Sequence, residues 1–110
     1  MAYDEALAGR IRTLVADERG VTEKTMFGGL AFLVGGNMAV AASGQGGLLV
    51  RVDPEQSDEL VRTTPAETAV MRGRPMQGWL RVEAKDVTTD AALSGWVARS
   101  VAFAGSLPAK

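Results

Sequence analysis

Thr25-Met26-Phe27-Gly28-Gly29-Leu30-Ala31-Phe32-Leu33-Val34 is an apolar stretch of strand character with a glycine pair at its middle. Two glycines inside a strand weaken it, so they mark a bulge or a place where something must come close. A bulge at Gly28-Gly29 would let Phe27 and Leu30 both reach the core, which strict alternation forbids. Close backbone approach by a ligand or a second subunit is the alternative. Downstream, Gly35-Gly36-Asn37 leads into an apolar run at 38–43, and Gly44-Gln45-Gly46-Gly47 leads into another at 48–52. Short glycine-rich connections between such runs predict a three-stranded antiparallel meander. The second connection is a hairpin turn and not a phosphate loop, because a strand follows it and no Lys-Ser/Thr pair is present.

Helical patterns flank the meander. Leu7, Ile11, Leu14 and Val15 form one apolar stripe over about residues 4–18, with Asp4 and Glu5 at the positive end of the helix dipole and Gly20 as the stop. Asp53-Pro54-Glu55-Gln56 reads as a capped helix start, and that helix ends near Thr64-Pro65. Strands follow at about 68–71 and 79–83. A closing helix from Asp90 carries Leu93, Trp96, Val97, Val101, Ala104 and Leu107 on one stripe and ends at Pro108. The predicted order is αβββαββα. It describes an α+β domain spanning 1–110, an antiparallel sheet of about five strands with the N- and C-terminal helices on one face. If Val50, Val52, Leu80 and Val82 point to the core, then Arg51, Trp79 and Arg81 point outward. That outer face suits either a partner surface or solvent.

Composition narrows the function. The chain has 110 residues with a net charge of −1, so it lacks the basic excess that drives tight binding to duplex DNA. It contains no histidine and no cysteine, which removes imidazole-based triads, thiol nucleophiles and the usual zinc ligands. The carboxylates Asp53, Glu55, Asp58 and Glu59 are read as a helix cap and a surface run. No catalytic constellation is found; neither an enzyme, a cofactor nor a metal site is expected. No apolar run approaches the ~20 residues that span a bilayer, and the N-terminal segment mixes charged and apolar residues, so a cytoplasmic protein without membrane contact is expected.

The best site candidate is the segment from Arg72 to Arg81, read as a tight loop bounded by Gly73, Pro75 and Gly78 that delivers Trp79 onto a strand. Between Thr68 and Val82 it carries Arg72, Arg74 and Arg81 and no carboxylate. Guanidinium forks bind phosphate or carboxylate and stack on tryptophan, so these arginines, Trp79 and Arg51 form a candidate binding set. The alternative is structural: Arg74 braces the loop through its own carbonyls while Trp79 packs at the sheet rim. Of the loop arginines, Arg72 and Arg81 are expected to be the more exposed.

The motifs MFGGLAFLVGGNM, GRPMQGW and WVARSVAFAGSLP make the chain similar, from Tyr3 to Pro108, to the N-terminal domain of the TfoX/Sxy family, bacterial proteins named for a regulator of natural competence. The resemblance implies a non-enzymatic regulatory module that acts by contacting another protein. The named competence regulators carry a second, C-terminal domain; this chain ends at Lys110 after the last helix, so a single-domain member is expected and a competence role is not implied. Homodimerisation is left open. The competing functional reading is a binder of nucleic acid or a small anionic ligand through the arginine segment.

Overall fold

The computed structural model describes residues 3–26 and 28–109. Helix α1 covers Glu5–Leu14, opened by the Asp4 carboxylate accepting from the Leu7 N–H at 3.1 Å. It stops before the expected residue 18, with Val15 as its cap. Strands β1 (Val21–Met26), β2 (Gly29–Val34), β3 (Asn37–Ala42) and β4 (Leu48–Arg51) follow as successive antiparallel neighbours. Helix α2 (Pro54–Thr63) begins with Asp53 as cap and Pro54 in the first turn, where a missing N–H costs nothing. Strands β5 (Glu67–Met71) and β6 (Arg74–Val82) form a hairpin, and helix α3 (Asp90–Ser106) closes the domain. The sheet order is β1-β2-β3-β4-β6-β5. The fold class is the expected α+β, in the order αββββαββα.

The added strand comes from the glycine pair. Residues 25–34 are not one bulged strand: β1 ends at Met26, β2 begins at Gly29, and these two residues are paired across a tight turn in which Gly28 has φ 76°. A Cβ on Gly29 would lie 2.3 Å from the Ala42 carbonyl oxygen and 2.9 Å from the Gly44 amide nitrogen. Something does come close at the glycine pair, and it is the chain's own backbone leaving β3. Phe27, part of the predicted motif, lies outside the described residues.

Period-two alternation sorts the strand side chains onto two faces. Leu30, Phe32, Val40, Ala42, Leu48, Val50, Leu80 and Val82 join one buried cluster. To it α1 adds Leu7 and Ile11, α2 adds Leu60, and α3 adds Leu93, Trp96, Val97, Val101 and Ala104. All three helices therefore pack on the same face, as the single apolar stripes of the two terminal helices require. Leu14 departs from its expected place in the stripe and is 40% exposed. It sits at the mouth of a shallow cleft where α3 presents the short side chains of Ser94 and Ala98.

Polar ties lock the helical layer. Arg10 donates to the carbonyls of Val87 (3.0 Å) and Thr88 (3.3 Å) and reaches Asp90, holding α1 to the entry of α3. The buried Asn37 amide donates to the Pro108 carbonyl at 2.9 Å, fastening the chain beyond α3 to the β2–β3 turn. Arg12 meets Glu23 of β1 as a fork, at 2.6 and 2.8 Å.

Two outcomes follow. Trp96 is 8% exposed, so Trp96→Ala is expected to cost roughly 3–5 kcal/mol in denaturant unfolding, as large core truncations do. Hydrogen bonding and charge from Arg12 hold the Glu23 carboxyl below the usual carboxylate range. The stability this adds is present above the ordinary glutamate value and is lost as pH falls through the depressed folded value. Thermal melts should show wild type above Glu23→Gln at neutral pH, with the gap closing in acid.

Candidate functional site

The face opposite the helices carries no helix, yet it is apolar. Ala31, Met38, Ala41, Leu49 and Ala69 are buried there, with Met26, Leu33, Met71 and Trp79 packed over them. These residues alternate with those of the helix-covered core, so the same strands that build the core also build this second surface. Met26 and Met71 in its cover are unbranched and flexible, and adapt to what they touch.

The β5–β6 hairpin shapes one end of this face. The segment expected to be a tight loop is mostly strand: Met71 pairs with Arg74, and Arg72 and Gly73 form a two-residue turn with φ 53° and 76°. Both central residues of such a primed turn need positive φ, which suits the right-handed strand twist. Pro75 pairs with Val70 on a stretch of β6 lying beyond the end of β4, which reaches only Trp79. On that stretch a missing N–H leaves no ladder bond to β4 unmade.

Between the two halves of β6 the register with β5 shifts: Thr68 faces Leu80, while Ala69 faces Met76. Gln77, Gly78 and Trp79 are the extra residues. The bulge is pinned from the other side, where the Gly78 carbonyl accepts from the Val52 N–H at 2.8 Å and the Gly78 N–H donates to the buried Ser57 hydroxyl oxygen at 3.2 Å. Gln77 donates to the Pro54 carbonyl at 3.1 Å. Gly78 has φ 89°, and a Cβ there would sit 3.1 Å from the Pro54 ring, so only glycine fits.

Along the hairpin lies an open groove of about 790 Å³. Leu49, Ala69, Met71 and Met76 give it an apolar lining; Arg72, Arg74, Arg81, Ser43 and Gln45 give it polar edges, and no carboxylate among the described residues lines it. The structure divides the predicted set in two. Arg72, Arg74 and Arg81 come together in the groove. Arg51 and Trp79 do not line it: they pair across β4 and β6, with the Arg51 guanidinium 5.1 Å from the Trp79 ring centre and 5.7 Å from that of Phe103 on α3.

The groove arginines also differ from one another. Arg81 holds the β3–β4 turn, donating to the Gln45 side-chain oxygen and, at 3.1 Å, to the Gly46 carbonyl. Arg72 and Arg74 are exposed and make no side-chain hydrogen bond or ion pair among the described residues. Arg81 thus takes the tethered position and Arg74 the open one, opposite to the bracing role read for Arg74. The bracing falls to Gly78 and Ser57. Sequence reading missed Leu49, Met71, Met76 and Gln45 as groove residues. Met76 alone had a signal, lying inside the GRPMQGW motif.

An antiparallel α+β domain with one helix-covered face and one open, arginine-edged face is the class defined here. The family model of the TfoX N-terminal domain matches residues 13–104, and the chain belongs to that family. No curated protein and no solved structure matches it significantly. Among the described residues no helix is long and apolar enough to cross a membrane, and no group of three or more His, Cys, Asp or Glu side chains is placed to hold a metal ion.

The division between brace and open cation is measurable. Ser57→Ala would leave the buried Gly78 N–H without its acceptor and should cost roughly 1–3 kcal/mol in urea unfolding. Arg74→Ala should stay within about 0.5 kcal/mol of wild type, as exposed substitutions do.

Proposed function

We propose that the chain is a non-enzymatic, cytoplasmic regulatory module that binds another protein through the helix-free face of its sheet. The observation that carries this reading is the apolar lining of Leu49, Met71 and Met76 bordered by Arg72 and Arg74, whose guanidinium groups make no hydrogen bond or ion pair among the described residues. An apolar centre with an arginine rim is the composition of a protein interface, in which arginine and methionine are enriched. Membership in the TfoX N-terminal domain family supports a module of regulatory kind. Catalysis finds little support: the sequence holds neither imidazole nor thiol.

Nucleic acid is the weaker reading, since the net charge is −1 and backbone binding must neutralise several phosphates at once. Affinity capture from native lysate, with and without nuclease, separates the two. Wild type should retain the same proteins under both conditions, and a Met76→Glu, Arg74→Glu double variant, altered only at exposed positions, should lose them. Nuclease-sensitive retention would replace the protein reading by a nucleic-acid one. Equal retention by the double variant would move the interface off this face.

A further inference from the structure

The sheet has two outer edges, and they are guarded unequally. β1 carries Glu23 and Lys24 at its middle, and Glu23 is engaged by Arg12 from α1. Charge on an edge strand is a standard defence against adventitious pairing. β5 reads Glu-Thr-Ala-Val-Met, with its single charge at the first residue. Val70, on the side of β5 opposite Ala69 and Met71, is 62% exposed, so the helical layer does not cover it. Among the described residues no hydrogen bond outside the β5–β6 ladder reaches Glu67–Met71. The outward backbone groups of this edge are thus open to a further strand.

Charge says what kind of strand fits. The turn at the end of β5 places Arg72 and Arg74 together, both exposed, at the mouth of a groove that no carboxylate among the described residues lines. Glu67 stands at the other end of β5, paired across to Arg81, whose guanidinium is already engaged by Gln45 and Gly46. Arg72 is also the one described non-glycine residue with positive φ, at 53°. An ordinary L-residue is disfavoured there, where asparagine or glycine would be the usual choice. The turn keeps a guanidinium at a position whose backbone disfavours it.

We infer that the outer edge of β5 accepts an extended acidic segment of a partner protein as an added strand, with its carboxylates on Arg72 and Arg74. The inference rests on the protein-binding reading above and specifies its partner. Main-chain hydrogen bonds supply affinity in such strand addition, and alternate side chains supply selectivity. Guanidinium forks match carboxylates in paired geometry, which lysine does not reproduce.

The test uses the full chain and a labelled peptide alternating glutamate and valine, with a lysine–valine peptide as its counterpart, followed by fluorescence anisotropy. The acidic peptide should bind, the basic one at least about tenfold more weakly. Arg72→Glu with Arg74→Glu should weaken acidic-peptide binding by a similar factor, and Arg74→Lys should restore only part of the loss seen with Arg74→Ala. Amide hydrogen exchange over Glu67–Met71 should slow on binding, a change that charge attraction alone would not produce. Val70→Pro, which removes an edge N–H, should weaken binding while leaving the melting temperature near that of wild type.

Binding without slowed exchange in β5, or binding untouched by the arginine changes, overturns the inference. So does equal competition by inorganic phosphate or a single-stranded oligonucleotide, which would make the occupant a phosphate-bearing ligand. A concentration-dependent dimer that the peptide fails to dissociate would place a second copy of the chain on this edge instead. If the peptide fails while nuclease-resistant capture through Met76 and Arg74 stands, the face binds protein in another manner. If both fail, the protein-binding reading falls with it.

Discussion

The backbone of Gly78 ties the two halves of the molecule together. Its carbonyl takes the Val52 N–H where β4 runs out, and its N–H reaches Ser57 on α2, so one residue joins β6 to both the strand and the helix beside it. A buried amide N–H needs an acceptor, and here the Ser57 hydroxyl oxygen supplies it. The bond also sets where β6 leaves β4. Beyond it the strand pairs with β5 alone, as a hairpin whose turn carries Arg72 and whose Met76 and Arg74 border the groove. The groove is a consequence of this bulge: a straight β6 would place Met76 in another register against β5.

Placing every helix on one face leaves the rest of the sheet to cover itself. Three alanines, Ala31, Ala41 and Ala69, form the inner layer of the open face, and longer side chains fold over them. Methionine suits that position because its unbranched thioether fills irregular gaps and adapts to a partner. The cations divide by their local partners. Arg51 is engaged by two rings and Arg81 by a turn, while Arg72 and Arg74 have neither among the described residues. The spare guanidinium groups and the less guarded sheet edge meet at the same hairpin, which gives the open face a direction.

Much of this fold was legible in the chain because local chemistry and tertiary packing agree. The Asp53-Pro54 start of α2, the stripe Leu93/Trp96/Val97/Val101 and the outward placement of Arg51, Trp79 and Arg81 each follow from a short-range period or cap, and each stands in the structure. The arginines of the candidate site were legible as residue types. Their roles were not, because a guanidinium beside a strand looks the same in sequence whether or not a turn such as Gln45-Gly46 has folded back to meet it.

By itself the sequence determined the α+β class, the antiparallel pairing of the meander, the one-sided helices and the absence of imidazole and thiol chemistry, all carried by composition, period and cap. Only the tertiary structure decided that Gly28 is a turn, that Gly29 is needed for the passage of the chain near Ala42 and Gly44, and that Arg72 through Met76 is turn and strand rather than loop. The reason is physical. A glycine pair in an apolar run states that the chain turns or is closely approached there, and a Gly-Pro-Gly segment states that a helix is not formed; neither says which distant backbone will occupy the space. That depends on pairing between segments far apart in sequence, and here β4, β5 and α2 settled it together around Gly78.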